Sequence, residues 1–175
     1  MAEPKYFENF PVTTIEIRGV KRTIRDITRS VVVNQDFFDD KYAFYDYTIG
    51  DAERPDHVAF SQYGSTSLAW IILVTNKIYD LWRQWPLSDR ILNDFIVSKY
   101  GSISSATSIV HEYRTVQDNI VVDEFTKNSL PADAVRTITK LDFERELNER
   151  KRFIRLVQPQ FIPELKKEIE ELFEE

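Results

Sequence analysis

The chain has 175 residues, the size of one domain or of a small module with appendages, and 42% of them are hydrophobic, enough to build an apolar core. It contains no cysteine, so disulfides and thiolate metal sites are excluded. The net charge is −6, of which the Glu-rich residues 164–175 carry −4, so the remainder offers no strong basic field for nucleic acid or anionic lipid. The N-terminus lacks a signal-peptide pattern and the longest apolar run, residues 68–74, is too short to span a bilayer. We therefore expect a soluble protein that is made in a cytoplasm.

The N-terminal segment, residues 1–41, is predicted to be extended. Residues 12–17 are rich in β-branched side chains, Arg18 and Gly19 can turn, and residues 20–27 resume an extended pattern. A third short strand is predicted at residues 30–33. A further strand, at residues 45–49, begins the next segment.

Residues 42–101 are predicted to form the helical core of the chain. Pro55 suits the first turn of a helix, because its missing N–H would be unpaired there anyway, and Gly64 is placed to end that helix in a left-handed conformation. Ser65 or Ser67 can cap a second helix over residues 68–75, which is apolar almost all round and is therefore predicted to be buried, and Asn76 can close it. A third helix is predicted from the N-cap Ser88 to Gly101, with Ile91, Leu92, Phe95 and Ile96 on one face.

The last two segments alternate short strands and helices. Residues 102–140 are predicted to hold a hairpin, with strands at 109–115 and 120–123 joined at Asp118 and Asn119, followed by an extended stretch at 134–139. In residues 141–175 a helix at 142–150 precedes a strand at 153–157 and an amphipathic terminal helix. The fold class predicted for the whole chain is α+β.

The sequence offers little that could carry catalysis. There are two histidines, His57 and His111, far apart and without a nucleophile motif, and four glycines cannot form a phosphate-binding loop. Acidic residues are dense between 36 and 56, and a pair of them could serve a glycosidase, but acidic residues also stabilise the start of a helix. We predict no enzyme activity, no cofactor and no metal site.

The aromatic residues are more informative. Trp70, Tyr79, Trp82 and Trp85 fall within sixteen residues, and the last two lie in a predicted loop. Large aromatic side chains in loops are enriched at protein interfaces and on sugar-binding surfaces. Trp82 and Trp85 are therefore interface candidates.

Two parts of the chain, Tyr47 to Gly101 and Asp142 to the terminal helix, carry a distinctive pattern. In the first part the pattern rests on Arg54, Pro55, Tyr63, Gly64, Trp70 and Asn76. This part resembles the baseplate wedge family of T4-like contractile-tailed phages, whose small subunit clamps neighbouring wedges, and the second part is similar to the C-terminal signature of that family.

The middle segment also resembles a LysM module, a small βααβ unit of which many relatives bind peptidoglycan or chitin. The strand, the Gly50–Asp51 turn, the helix ending in Tyr63–Gly64, the second helix and Asn76 fit this pattern. The usual last strand is missing after Asn76, since Pro86, Leu87 and Ser88 begin a helix instead. The resemblance therefore implies the scaffold more than the glycan binding.

The family resemblance implies a structural subunit of the virion, located in the tail baseplate and assembled in the host cytoplasm. It implies other wedge proteins, the sheath-initiating subunit and the central hub as partners, in several copies around a sixfold axis, with no nucleic acid or membrane. The alternatives are a LysM-like peptidoglycan-binding module and a small cell-wall hydrolase. Besides the two tryptophans, the interface candidates are the C-terminal residues Arg152, Ile154, Leu156, Leu165, Ile169, Leu172 and Phe173, and we expect at least part of the terminal helix to dock on a partner.

Overall fold

The structure is a computed structural model that describes residues 10–27 and 42–174, with the side chains of 172–174 excepted. Within those residues the chain forms two compact units. Unit 1 contains the described parts of residues 1–49, 53–84 and 153–175, and unit 2 contains residues 50–52 and 85–152. The chain thus leaves unit 1 after Gln84 and returns to it at Phe153, whereas the sequence predicted four consecutive segments, 1–41, 42–101, 102–140 and 141–175.

The predicted α+β class is confirmed. The strands in chain order are β1 (Val12–Ile17), β2 (Val20–Arg25), β3 (Phe44–Thr48), β4 (Val110–Thr115), β5 (Val121–Val122), β6 (Val135–Thr139) and β7 (Phe153–Val157). The α-helices are α1 (Pro55–Tyr63), α2 (Ala69–Thr75), α3 (Leu81–Gln84), α4 (Asp89–Tyr100), α5 (Ile103–Ser108), α6 (Glu124–Ser129), α7 (Lys140–Arg150) and α8 (Ile162–Glu174), and short 3-10 turns occupy Thr66–Leu68 and Pro159–Phe161. The third strand that the sequence predicts at residues 30–33 lies outside the described residues.

Unit 1 is built on an antiparallel pair of strands that are far apart in sequence. β3 pairs with β7, in a register that runs from Phe44 opposite Val157 to Thr48 opposite Phe153. Helices α1 and α2 follow β3, so the order of these elements is strand, helix, helix, strand. Strand β7 thus follows the two helices in this order, with residues 76–152 between α2 and β7 along the chain.

The helix ends in unit 1 follow their local sequence signals. Arg54 is extended and Pro55 opens α1, while Gly64 closes it at a φ of 74°, in the left-handed region that favours glycine. The side-chain oxygen of Ser65 accepts from the backbone N–H of Ser67 and starts the 3-10 turn that leads into α2. Asn76 ends α2. Pro55, Gly64 and Asn76 were predicted in these roles. Ser65, one of the two caps predicted for the second helix, caps the 3-10 turn instead, and this turn was not predicted.

The core of unit 1 includes apolar side chains from β3, β7 and their helices. Trp70 is buried, together with Ile71 and Ile72 on α2 and Val58 and Ala59 on α1. Helix α2 is therefore buried, as its sequence predicts, because a helix without a polar face is stable only where it is surrounded by protein.

The C-terminal interface candidates are mostly interior residues, which corrects the expectation that they face a partner. Ile154, Leu156, Leu165 and Ile169 are all buried within the chain itself. In β7, burial falls on Ile154, Leu156 and Val157 while Phe153 is exposed. The apolar stripe of α8 is thus satisfied by its own protein wherever the side chains are described. The side chains of Leu172 and Phe173 lie outside the described residues.

Unit 2 combines a three-stranded antiparallel sheet, in the order β5–β4–β6, with helices. Its apolar cluster contains Leu92 and Ile96 of α4, Ala106 of α5 and Leu141 of α7. Ile91 and Phe95, which the sequence placed on the same face of α4, are exposed, so the buried stripe of that helix is narrower than predicted. Of the helices in the described residues of either unit, none is long and apolar enough to cross a membrane.

Candidate interaction surface

The most prominent exposed aromatic feature of unit 1 is a turn at residues 79–84, which we name the aromatic turn. The side chain of Trp82 is 83% exposed, and Tyr79 is exposed to a similar degree. The predicted loop is in fact a single helical turn, α3, at Leu81–Gln84. Exposed tryptophan and tyrosine rings offer apolar area with a polar edge, which is the chemistry of interface anchors.

Polar side chains fix the backbone of the aromatic turn. The side-chain oxygen Oε1 of Gln84 accepts from the backbone N–H groups of Tyr79 and Asp80, at 2.7 and 2.8 Å. Oδ1 of Asp80 accepts from the N–H groups of Trp82 and Arg83, at 3.0 and 3.3 Å. Because these bonds satisfy the start of α3, the rings are displayed from an ordered backbone, and little backbone entropy is lost when a partner binds.

Trp85 differs sharply from Trp82 although only two residues separate them. Trp85 belongs to unit 2 and is 6% exposed. Its ring is therefore part of the interior, and its selection as an interface candidate is corrected by its burial. The sequence signal, large aromatics in a region without periodic pattern, is the same for both residues.

Asn76, a position of the family resemblance, joins α2 to β7. Its Nδ2 group donates to the backbone oxygen of Arg155 at 2.7 Å, and its Oδ1 accepts from the backbone N–H of Arg155 at 2.9 Å. The same Nδ2 also donates to the carbonyl of Ile72 at 2.9 Å. One amide side chain thus caps the helix and pairs with β7 as a neighbouring strand would.

The other motif positions are also structural. Arg54 is exposed and its Nε lies 3.0 Å from Oδ1 of Asp56, in the first turn of α1. Burial raises the pKa of the Tyr63 hydroxyl. Burial, followed by the hydrogen bond and the charge of Glu53, also raises the pKa of Tyr47 to about 12. These phenols are therefore neutral packing groups at ordinary pH.

Arg152, another predicted interface residue, is held inside unit 2 by carboxylates. Its guanidinium lies 3.1 Å from Glu149, 3.6 Å from Asp51 and 3.7 Å from Asp89, and only 13% of its side chain is exposed. It lines a polar pocket of about 270 Å³ together with Asp89, Leu92, Asn93, Arg145, Asn148 and Glu149. Its charge is matched by carboxylates of its own unit, and its selection as an interface residue stays a prediction.

Four described carboxyl groups have a shifted pKa, and these shifts bear on the glycosidase alternative. The general acid of such an enzyme needs a raised pKa. In each of these described carboxyl groups the pKa is lowered instead. A hydrogen bond from Thr126 lowers the pKa of Asp123, and one from Thr139 lowers that of Asp142. Burial alone would raise the pKa of Glu144 and of Glu146, but hydrogen bonds lower it, from Lys99 to Glu144 and from Arg114 to Glu146. The described residues also contain no group of three His, Asp or Glu side chains that could hold a metal ion.

Comparison with known proteins identifies the family. Residues 8–151, more than half of the chain, match the family described as base plate wedge protein 53. The chain is also similar to the baseplate wedge protein gp53 of Enterobacteria phage T4, with 24% identity over 98 residues. That match covers 56% of this chain and 46% of the relative, so the chain spans less than half of the length of the curated protein it matches. The matched region includes the helix caps, the aromatic turn and Asn76, and the chain belongs to the base plate wedge protein 53 family.

Proposed function

We propose that this protein is a structural subunit of a phage tail baseplate that joins neighbouring wedge proteins and the hub without catalytic turnover. Membership of the wedge family supports the location in the virion. The observation that carries the joining role is the aromatic turn, an ordered display of Tyr79 and Trp82 on the surface of unit 1. A contractile tail also needs contacts that rearrange when the baseplate changes state.

The proposed role depends on Trp82 as an anchor. Tryptophan is enriched among residues that dominate binding energy, and truncation of such an anchor costs at least about 2 kcal/mol of binding free energy, or about thirtyfold in affinity. Because Trp82 is exposed in the isolated chain, its loss should leave the free energy of unfolding nearly unchanged. Binding and stability are thus separable at this residue.

The experiment compares three truncations, Trp82→Ala, Trp85→Ala and Phe125→Ala, in the assembly of baseplate wedges from purified components. Trp82→Ala should assemble poorly and melt like the wild type, while Trp85→Ala should lose about 3–5 kcal/mol of stability because a buried ring is removed. Phe125 is an exposed aromatic of unit 2 and serves as the matched control. Normal assembly of Trp82→Ala would contradict the anchor role.

A second candidate function is supported by the strand, helix, helix, strand order of unit 1, which is the order of a LysM-like glycan-binding module. This reading predicts that the isolated protein co-sediments with insoluble peptidoglycan and that Trp82→Ala reduces the sedimented fraction. A protein that remains in the supernatant at all concentrations would count against glycan binding. A cell-wall hydrolase is less well supported, because each carboxyl group with a shifted pKa in the described part of the chain has a lowered one.

A further inference from the structure

Strands β1 and β2 form a ribbon, residues 12–25, which we name the basic ribbon. The strands pair antiparallel over six positions, from Val12 opposite Arg25 to Ile17 opposite Val20. Arg18 and Gly19 form the turn, with φ of 52° and 79°, which is the left-handed pair that a two-residue hairpin needs. Within the described residues no other strand pairs with either edge.

The basic ribbon is exposed along its whole length. In both strands every residue except Ile15, which is half-buried, is exposed. A two-stranded ribbon is only marginally stable by itself, so it needs an anchor. The residues next to its open end supply this anchor. Phe10 is buried, and its carbonyl accepts a hydrogen bond from Nη1 of Arg25 at 3.0 Å. The N–H of Asp26 donates to the carbonyl of Pro11 at 2.8 Å.

The two faces of the basic ribbon differ in chemistry. Side chains of directly opposed residues share a face, and the face alternates along the strand. One face carries the pairs Thr13–Ile24, Ile15–Arg22 and Ile17–Val20, and the other carries Val12–Arg25, Thr14–Thr23 and Glu16–Lys21. The first face is therefore mainly aliphatic although Ile17, Val20 and Ile24 are exposed to solvent.

The charge of the basic ribbon is opposite to that of the whole chain. Residues 12–25 contain four basic side chains, Arg18, Lys21, Arg22 and Arg25, and one acidic side chain, Glu16. The ribbon thus carries +3 in a protein whose net charge is −6. Opposite charges across an interface accelerate encounter and select the partner.

We infer that the basic ribbon docks its aliphatic face on an apolar surface with an acidic rim on another protein of the baseplate. The inference rests on the proposed function, since it assigns a surface and a partner chemistry to the structural role. The aliphatic face selects a protein over a nucleic acid, whose backbone offers charge but no apolar groove for three isoleucines and a valine. Two ribbons of the same charge repel each other, which disfavours pairing of ribbons between two copies.

The experiment uses the full chain and the other wedge proteins of the same phage, purified separately, as probes. The face variant Ile17→Thr with Val20→Thr removes aliphatic area but keeps β-branched side chains, so the hairpin is retained. The charge variant Lys21→Glu with Arg22→Glu changes the ribbon from +3 to −1. The control Thr14→Ser with Thr23→Ser changes the opposite face.

The expected result is that one acidic wedge protein binds the wild type and the control equally. The face variant should bind at least about tenfold more weakly with little change in salt dependence, and the charge variant at least about tenfold more weakly with a shallower salt dependence. All variants should keep the far-ultraviolet circular dichroism spectrum and the melting temperature of the wild type within a few degrees, because the altered side chains are exposed.

Three outcomes would overturn the inference. In the first, the face and charge variants bind with wild-type affinity while Trp82→Ala fails to assemble. This result would show that the basic ribbon is not part of the interface, and the proposed function would stand. Ribbon-dependent dimerisation of the wild type in sedimentation would assign the surface to a second copy. Ribbon-dependent binding to double-stranded DNA without binding to any wedge protein would assign it to nucleic acid. If the wild type neither binds a wedge protein nor enters assembled wedges, the proposed function itself fails.

Discussion

Asn76 joins α2 to the backbone of β7 through two hydrogen bonds, so its replacement tests how unit 1 is held together. Asn76→Ala removes the two bonds to the backbone of Arg155, at 2.7 and 2.9 Å, and the bond to the carbonyl of Ile72 at 2.9 Å. Asn76→Asp keeps an acceptor for the N–H of Arg155 but places a carboxylate oxygen opposite two carbonyl oxygens. The two variants therefore separate the loss of donors from the loss of the whole amide.

The expected cost follows from the number and exposure of these bonds. A typical net contribution is about 1 kcal/mol for each hydrogen bond, and the bonds to Arg155 lie where water has access, so the full penalty of a buried unpaired group does not apply. We expect Asn76→Ala to lower the free energy of unfolding by about 2–3 kcal/mol. Asn76→Asp should cost at least as much above the pKa of the new carboxyl, because electrostatic repulsion replaces two donor contacts.

The assay is urea unfolding followed by tryptophan fluorescence and circular dichroism at neutral pH, with Asn93→Ala as the control. Asn93 is an exposed asparagine on α4, so the control should change stability by less than about 0.5 kcal/mol. If Asn76→Ala unfolds within that same margin of the wild type, the amide contributes nothing to unit 1, and the argument that it acts as a substitute strand is refuted.

Other predictions address the remaining polar and apolar contacts. Burial would raise the pKa of Glu144, but hydrogen bonds from Lys99 and Tyr100 lower it. The carboxylate therefore stabilises the fold fully above the pKa of the unfolded group, about 4.3. This stabilisation is lost as the pH falls through the lower pKa of the folded protein. Glu144→Gln should therefore cost about 1–3 kcal/mol at pH 7 and flatten the acid branch of the stability curve, which urea titrations between pH 7 and 3 would measure. Deletion of the residues after Gln158 should lower the melting temperature, because Leu165 is buried within the chain, and unchanged melting would contradict this. Gly64→Ala should cost about 1–2 kcal/mol in urea unfolding purely through its φ of 74°, because a Cβ there meets no atom within 4 Å.

Local signals allowed most of the secondary structure to be predicted. Pro55 and Gly64 delimit α1 as expected, and the strand predicted at residues 153–157 coincides with β7. The turn predicted at Asp118 and Asn119 is present, with a φ of 54° at Asn119. Each of these features depends on residues within one turn or one strand, which is the range over which proline, glycine and asparagine act.

Short elements and long-range pairing could not be predicted in the same way. Helices α5 and α6 have six residues each, and α5 is rich in serine and threonine, which favour turns as much as helices. Both are capped by a side chain, from Ser102 and Asp123, and a cap signal without a longer apolar period is too weak to predict a helix. The pairing of β3 with β7 joins residues on either side of unit 2, so no local pattern could indicate it.

The burial of the interface candidates could not be predicted from the sequence. Trp82 and Trp85 have the same sequence context, yet one is exposed and the other is buried. The stripe of α8 and the apolar residues of β7 likewise have the same pattern whether they pack on their own protein or on a neighbour. Burial depends on which elements, distant in sequence, pack together. Sequence periodicity predicts which face of an element is apolar but not what covers that face.

The insertion of unit 2 raises the question of how β7 can pair with β3 at a tolerable entropy cost. A second asparagine provides the answer: Oδ1 of Asn148 accepts from the N–H of Leu87 at 2.7 Å, and its Nδ2 donates to the carbonyl of Leu87 at 2.9 Å. This contact joins the two ends of residues 85–152, so a folded unit 2 leaves only a few residues of free chain on either side. Closing a flexible loop of that length, compared with one of a few residues, would cost about 2 kcal/mol more. A folded unit 2 thus makes the pairing of β3 with β7 nearly as easy as if β7 followed directly after α3, and the side chain of Asn76 then bonds to the backbone of β7.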